Sequence, residues 1–145
     1  MIKIITINQL FSQEDGLFQK YSDEAKVPQA PDMAPDINHY LALEDNDALT
    51  VAGLYIDDKL QGFCTLVYFY LSHSDSLGAS VDMFFIDSCH RGYGTGKKLI
   101  SFAEDLARDK GAKIVTMTAP LNSRLEKVAC SFGYEATNII HTKAL

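Results

Sequence analysis

Residues Gly78 to Lys98 read GASVDMFFIDSCHRGYGTGKK, which is an apolar strand, a glycine-rich loop and the first turn of a helix. Three alternate glycines, Gly92, Gly94 and Gly96, lie between the strand and the helix. The first N–H groups of a helix have no partner within it, and the helix dipole favours negative charge there. This stretch therefore predicts a loop that binds a phosphate or a pyrophosphate.

The spacing of this loop excludes two common phosphate-binding patterns. A Walker loop requires a glycine five positions before its Gly-Lys pair and a serine or threonine after it, and here those positions hold Arg91 and Lys98. The dinucleotide fingerprint G-x-G-x-x-G requires a third glycine, and Lys97 or Leu99 stands in its place. The loop therefore belongs to another class of site.

The pattern Arg91-x-x-Gly94-x-Gly96 resembles the acetyl-CoA loop of the GNAT N-acetyltransferases, and Val81 to Ile86 resembles the strand that enters that loop. Phe132-Gly133-Tyr134 is similar to the step that closes the family's fourth helix. The resemblance implies a single acyl-CoA N-acyltransferase domain over residues 1–145, with acetyl-CoA as co-substrate. It also implies direct transfer of the acetyl group to an amine.

Length and composition indicate an ordinary globular domain. The 145 residues are 47% hydrophobic and 22% charged, which predicts one hydrophobic core. The net charge of -6 argues against a nucleic-acid partner and mildly favours a cationic substrate.

The cysteines and the N-terminus bear on the compartment. Cys64, Cys89 and Cys130 are odd in number and lack the paired spacing of a zinc site, and the histidines also lack metal-ligand spacing. We therefore expect no metal, and reduced thiols in a cytoplasmic protein. Residues 1–7 lack the length and cleavage site of a signal peptide, and no apolar run approaches about 20 residues. The sequence thus predicts a protein that is neither secreted nor membrane-spanning.

The hydrophobic periodicity predicts an α/β fold with a mixed, mostly antiparallel sheet and helices on both faces. The predicted elements are a strand at 2–7, a helix at about 9–21, a proline-rich loop at 27–35, a short helix capped by Asp36, a hairpin of strands at 50–56 and 60–71, a strand at 78–87, a helix at 95–110, a strand at 113–119, a helix capped by Asn122 and ending near Ser131, and a last strand at 136–142. The strand at 60–71 is apolar nearly throughout, as a central strand covered on both faces would be. Ser12, Glu14 and Asp15 leave the start of the first helix open. The family ends with two strands, so the final one is missing here, very short, or supplied by a second subunit of a homodimer.

The resemblance assigns the cofactor to two parts of the chain. In the family, the loop holds the pyrophosphate through backbone N–H groups, and the strand before it presents backbone groups to the pantetheine arm and one N–H to the oxyanion. The corresponding loop residues are Arg91, Gly92, Tyr93, Gly94, Thr95, Gly96 and Lys97, and the strand residues are Phe84, Phe85 and Ile86. Arg91 and Lys97 could add positive charge. The alternative is a tight turn that binds no ligand.

Asp82 is the candidate general base. It interrupts an apolar strand at the position where several family members that acetylate small amines carry a glutamate thought to act as base. Burial would suit a carboxylate to that task. The alternative is a strand-end carboxylate that pairs with lysine or arginine, or faces water.

The predicted last helix departs from the family pattern. Asn122 lies where the family's asparagine often contacts the cofactor arm, although capping alone explains an asparagine there. Seven residues later, many members place a tyrosine that protonates the leaving thiolate, and this chain has Ala129. Cys130, Ser131 or Tyr134 could compensate, or the thiolate could leave without an acid.

The resemblance and these residues together predict an acetyl-CoA-dependent N-acetyltransferase that acts on a primary amine. They favour an amine of a small cationic molecule over an amine of a protein. Tyr21, Met33, Tyr40 and the proline-rich loop occupy the family's acceptor-binding region, together with several acidic residues. Cys89 and His90 do not indicate an acyl-enzyme, because adjacent residues in a turn rarely point together. Two alternatives stay open: a coenzyme A binding module with a sensing role and weak or no catalysis, and a generic nucleotide-binding domain.

Overall fold

The computed structural model of the protein describes residues 1–12 and 16–145. Its strands are β1 (Ile2–Ile5), β2 (Leu49–Ile56), β3 (Lys59–Leu71), β4 (Ser76–Ile86) and β5 (Ile114–Met117). Its helices are α1 (Ile7–Phe11), α2 (Leu17–Ala25), α3 (Ile37–Asp45), α4 (Thr95–Asp109) and α5 (Arg124–Ser131), and a short 3-10 turn spans Ser88–His90.

The strands form one mixed sheet in the order β1-β2-β3-β4-β5. Neighbours from β1 to β4 are antiparallel, and β5 pairs parallel to β4. β2 and β3 make the predicted hairpin, whose turn holds Asp57 and Asp58 at φ of 49° and 60°. Aspartate tolerates this left-handed conformation because its short polar side chain can bond to the local backbone. The predicted α/β fold with a mixed, mostly antiparallel sheet is confirmed.

Helices cover both faces of the sheet, and each face has its own apolar core. α1, α2 and α3 pack on one face against residues such as Phe63 and Phe85, and α4 packs on the other against Cys64 and Leu66. Phe63 and Cys64 are consecutive in β3 and both are fully buried. Successive side chains of a strand point to opposite faces, so each of the two lies in the core on its own face. β3 is therefore the central, doubly covered strand that its sequence predicts.

The single helix predicted at about 9–21 is wrong. α1 already begins at Ile7, because Thr6 and Gln9 exchange hydrogen bonds of 2.9 and 3.1 Å between side chain and backbone, which is a capping box. α2 begins separately at Leu17, after Gly16 with a left-handed φ of 72°. A helix start at Glu14 or Asp15 lies outside the described residues.

The predicted last strand at 136–142 is also wrong. Residues 135–145 are exposed and contain no strand. Strand-forming composition makes a strand only where a neighbour pairs its backbone groups, and this segment pairs with none of the described strands. β5 consequently lies at the edge of the described sheet.

Candidate active site

The loop between β4 and α4 has a left-handed backbone over three successive residues. Gly92, Tyr93 and Gly94 have φ of 119°, 48° and 77°, and glycine is the residue that adopts such angles without strain. Thr95 then starts α4, and its N–H and its hydroxyl both donate to the Gly92 carbonyl, at 3.0 and 2.9 Å. The loop thus turns sharply into the first turn of α4.

Unbonded amides are the main chemical feature of this loop. Within residues 1–12 and 16–145, the N–H groups of Tyr93, Gly94, Gly96 and Lys97 donate to no protein acceptor. The first helical hydrogen bond of α4 runs from the Lys98 N–H to the Gly94 carbonyl, at 3.0 Å. Free donors at the positive end of a helix dipole suit an anionic group such as a diphosphate.

Gly96 is not required by the fold of the chain. Its φ is not left-handed, and a Cβ placed on it would come no closer than 3.8 Å to Ile86 Cδ1 and 3.9 Å to Phe84 Cζ. The backbone of α4 would therefore accept alanine here. Such a Cβ would make ordinary van der Waals contact with these two side chains at the end of β4, near the place where the cofactor arm is expected.

β4 carries a bulge at Asp82. Its register with β3 passes from Thr65–Met83 to Leu66–Val81, so Asp82 has no partner on β3. The buried Thr65 hydroxyl accepts from the Met83 N–H at 2.9 Å, which satisfies a backbone donor beside the bulge. The pairing of β4 with β5 ends at Val81, one residue before the bulge.

Beyond the bulge, β4 has a free edge on the side of β5. The Asp87 N–H donates to the Gln61 carbonyl of β3 at 2.8 Å. Alternate N–H groups of a strand point the same way, so the Phe85 N–H also points to β3. The N–H groups of Phe84 and Ile86 point to the opposite edge, which has no strand partner among the described residues. Of the three predicted strand residues, Phe84 and Ile86 are therefore the ones that offer N–H groups to a ligand.

Asp82 lies in the wall of a pocket of about 260 Å³. The pocket is formed by α2, the loop before α3, α3 and β4, through Phe18, Tyr21, Met33, Ala34, Pro35, Tyr40, Asp82 and Met83. Asp82 is exposed, so it lacks the burial that would favour a base and matches the alternative of a carboxylate that faces water. Its Oδ2 accepts from the Tyr40 hydroxyl at 2.9 Å, and no lysine or arginine of the described residues forms an ion pair with it.

Two tyrosines of this pocket keep their protons near neutral pH. Burial and, second, the charge of Asp82 raise the pKa of Tyr21 to about 12. Burial, the charge of Asp82 and the hydrogen bond to it also raise the pKa of Tyr40. Asp82 is the only carboxylate among the described residues that line the pocket. It is therefore the side chain there that can accept a proton.

The Arg91 side chain is bound by protein groups. Its Nε donates to the Ile86 carbonyl at 2.7 Å, and its Nη2 donates to both carboxylate oxygens of Glu24 on α2, at 2.8 and 2.7 Å. Its guanidinium also lies 5.2 Å from the centre of the Phe85 ring. The charge that Arg91 was expected to offer a phosphate is thus paired with Glu24, while Lys97 is exposed beside the loop.

Asp87 is a residue that sequence reasoning missed. Its side chain is only 6% exposed, and it accepts from Lys20 Nζ at 2.5 Å and from the Cys89 N–H at 3.1 Å. The hydrogen bond from Lys20 is the main cause that lowers the pKa of Asp87 to about 2. A carboxylate directly after an apolar strand was the available signal. Asp87 fixes the path of the chain from β4 into the loop.

Residues 14–134 match the sequence profile of the acetyltransferase (GNAT) family. The chain belongs to the GNAT acetyltransferase family. The resemblance drawn from the loop is therefore confirmed, and with it an enzyme that uses acetyl-CoA. No curated protein sequence matches this GNAT enzyme significantly.

Solved structures share the GNAT fold over nearly the whole chain. An aminoglycoside acetyltransferase from an uncultured soil metagenomic sample, in complex with sisomicin, is 20% identical with a TM-score of 0.78, and the match covers 100% of this chain and 95% of that one. A ribosomal-protein-alanine N-acetyltransferase from Brucella melitensis biovar Abortus 2308 is 19% identical with a TM-score of 0.71, and the match covers 97% of this chain and 99% of that one. A GNAT family acetyltransferase from Staphylococcus aureus is 16% identical with a TM-score of 0.72, and the match covers 100% of this chain and 98% of that one.

The last helix of this GNAT enzyme differs from the prediction at its start. Ser123 caps α5 and accepts from the Glu126 N–H at 3.1 Å, so the capping role predicted for Asn122 is wrong. Asn122 has a left-handed φ of 60° in the turn before the cap, where its N–H donates to the Glu126 carboxylate. Its side chain stays a candidate for contact with the cofactor arm.

The residues considered as substitutes for the missing tyrosine lie in different surroundings. The Ser131 hydroxyl donates to the Val128 carbonyl at 2.6 Å, and Cys130 is exposed. The Tyr134 hydroxyl is buried and has no hydrogen-bond partner among the described residues. Burial, followed by the nearby Glu104 carboxylate, raises the pKa of Tyr134, so its phenol stays protonated.

Two further features of the described residues bear on function. They contain no group of three or more histidine, cysteine, aspartate or glutamate side chains arranged to hold a metal ion. None of the helices in residues 1–12 and 16–145 has the length and apolar character needed to cross a membrane.

Proposed function

We propose that this GNAT acetyltransferase transfers the acetyl group of acetyl-CoA directly to a primary amine of a small cationic molecule. The observation that carries the proposal is the bulge at Asp82. On one side of the bulge lies the pocket that contains the Asp82 carboxylate, and two residues further along β4 the free edge begins at Phe84. An amine in the pocket and a thioester along the edge would therefore meet at the same point of β4.

The cofactor would lie along the loop and the free edge. The unbonded N–H groups of Tyr93, Gly94, Gly96 and Lys97 would hold the diphosphate. The pantetheine arm would follow the edge of β4, where the N–H of Phe84 or Ile86 would donate to the carbonyl oxygen as negative charge develops on it.

The pocket suits an ammonium group. Asp82 supplies a negative charge, and the aromatic rings of Phe18, Tyr21 and Tyr40 supply faces that attract cations. At about 260 Å³, the pocket is smaller than the roughly 300–1,000 Å³ typical of sites that enclose a drug-sized ligand. It would therefore take up one amine-bearing arm of the acceptor.

Asp82 would serve as the base in this reaction. The bound ammonium first gives a proton to Asp82, directly or through water, and the neutral amine nitrogen then attacks the thioester carbonyl carbon and forms a C–N bond. The tetrahedral intermediate loses a second proton from that nitrogen to the solvent. The C–S bond then breaks and the thiolate of coenzyme A leaves with the electron pair. Tyr21 and Tyr40 cannot take the proton, because both phenols keep their own.

The solved relatives support acceptors that carry an amine. One is named for an alanine of ribosomal proteins and another for aminoglycosides. The carboxylate and the aromatic lining of the pocket favour the second kind, a cationic small molecule, over a protein terminus.

Release of free thiol from acetyl-CoA, measured with a panel of polyamines, aminoglycosides and N-terminal peptides, tests this function. We expect turnover with at least one cationic small amine, and greater turnover there than with the peptides. Tight binding of acetyl-CoA with no turnover on any amine would favour the binding module instead. Turnover on peptides alone would contradict the assignment of the acceptor class.

We further propose that a second copy of the chain covers the edge of the sheet at β5. Ile114 of β5 is 44% exposed, and Ile139 and Ile140 of the unpaired segment 135–145 are 69% and 68% exposed. A bare strand edge and a bare apolar segment in one chain can complete each other in a two-fold dimer. Light scattering should show a dimer that becomes a monomer when Ile139 and Ile140 are both changed to Asn, whereas a monomeric wild type would contradict it.

A further inference from the structure

Helix α2 is tied to the cofactor loop at two points. Glu24 holds the guanidinium of Arg91 through both carboxylate oxygens, and Lys20, one helical turn earlier, bonds to the buried Asp87. Asp87 and Arg91 bracket the 3-10 turn that leads from β4 into the loop. The two ties therefore fix both ends of the segment that sets the position of the loop amides.

The contact between Glu24 and Arg91 has the features of a specific pair. Both hydrogen bonds are shorter than 2.9 Å, the Arg91 side chain is 26% exposed, and its Nε is also bound to the Ile86 carbonyl. A guanidinium held by two oxygens and a carbonyl is fixed in orientation, which an ammonium cannot reproduce. Its Nε and Nη2 donors are thus bound to protein groups, the first on β4 and the second on α2.

We infer that Glu24 and Arg91 form a positioning pair for the acetyl-CoA loop. In this role Arg91 fixes the position of the loop through its contact with Glu24 and does not bind the diphosphate. The inference rests on the proposed function, because it takes the loop amides as the site of the diphosphate. α2 also lines the acceptor pocket through Phe18 and Tyr21. The same helix thus places the loop on one side and the acceptor on the other.

The two roles of Arg91 predict opposite effects of Glu24→Gln. If the pair positions the loop, removing the carboxylate charge loosens the loop, and the dissociation constant of acetyl-CoA rises about three- to tenfold. If Arg91 were a phosphate ligand held in reserve, the same change would free its guanidinium and leave binding unchanged or tighter. Calorimetric titration with acetyl-CoA decides between the two.

A double-mutant cycle tests whether the two residues act as a unit. Arg91→Gln should weaken acetyl-CoA binding at least as much as Glu24→Gln, and the double variant should bind no more weakly than Arg91→Gln alone. Arg91→Lys keeps the positive charge but not the paired geometry, so it should behave like Arg91→Gln. The KM for acetyl-CoA should rise in these variants, with a smaller change in the KM for the amine.

Asp105→Asn is the matched control, because it also removes one acidic charge but breaks an exposed pair with Arg108 on α4. It should leave acetyl-CoA binding unchanged, and thermal unfolding of each variant confirms that it is folded. Unchanged or tighter binding by Glu24→Gln, additive effects in the cycle, or wild-type binding by Arg91→Lys would each overturn the inference. A wild-type protein that binds no acetyl-CoA would instead overturn the proposed function.

Discussion

Replacing Gly96 with alanine separates what the fold needs from what the cofactor needs. Gly96 lies in the first turn of α4 without a left-handed φ, and a Cβ there would meet nothing closer than 3.8 Å. Gly→Ala at such a position restricts the unfolded chain and stabilises the protein by about 0.4–1 kcal/mol. We therefore expect Gly96→Ala to unfold at a slightly higher denaturant concentration than the wild type.

The same methyl group should weaken acetyl-CoA binding. Its nearest protein atoms would be the side-chain tips of Ile86 and Phe84, in ordinary van der Waals contact, so it would lie between the loop amides and the end of β4, beside the path proposed for the cofactor. A loss of about tenfold in affinity corresponds to about 1.4 kcal/mol, and we expect at least that. The assay is chemical denaturation without cofactor, followed by calorimetric titration with acetyl-CoA.

Gly111→Ala provides the opposite control on the same helix. Gly111 follows the other end of α4 with a left-handed φ of 88°, so alanine there should cost about 1 kcal/mol of stability and leave acetyl-CoA binding unchanged. Wild-type affinity in Gly96→Ala would refute the placement of the cofactor. Weaker binding together with lost stability in Gly96→Ala would refute the claim that the fold does not need this glycine.

Three further substitutions test other parts of the site. Asp82→Asn should lower kcat by about 10²–10⁴-fold if the carboxylate is the base. A rise in KM for the amine with kcat unchanged would show instead that Asp82 only binds the cationic acceptor. Thr65→Val should cost about 1–3 kcal/mol in chemical denaturation, because it leaves the Met83 N–H beside the bulge without its acceptor; an unchanged midpoint would contradict that role. Asp87 has its pKa lowered from 3.8 to about 2 by Lys20, so its ionised form stabilises the fold above about pH 4 and this contribution is lost as the pH falls toward about 2. Asp87→Asn should therefore be less stable than the wild type at neutral pH and lose less stability between about pH 4 and pH 2, and parallel acid curves for the two proteins would contradict the pairing with Lys20.

The parts of the molecule that depend on local sequence could be predicted. The glycines at 92, 94 and 96 identified the loop, and the continuous apolar run of β3 identified the central strand. Both features act within a few residues, through backbone conformation and through side-chain alternation. Asp82 could also be identified as a candidate functional residue, because burying a carboxylate in an apolar strand costs free energy.

The parts that depend on distant pairing could not be predicted. Glu24 and Arg91 are 67 residues apart, as are Lys20 and Asp87, and nothing in the local pattern selects one acidic residue of α2 over another. The bulge that leaves Asp82 without a partner on β3 arises from the register between β3 and β4, so strand composition alone could not decide whether this carboxylate is buried or faces water. The segment at 136–142 has strand composition, but no described strand pairs with it.

A crystal structure of the complex with acetyl-CoA is the most direct measurement of the central claim. The account predicts diphosphate oxygens within about 3.2 Å of the N–H groups between Tyr93 and Lys97, and the thioester carbonyl beside the N–H of Phe84 or Ile86. A diphosphate bound elsewhere, with those amides facing water, would contradict it.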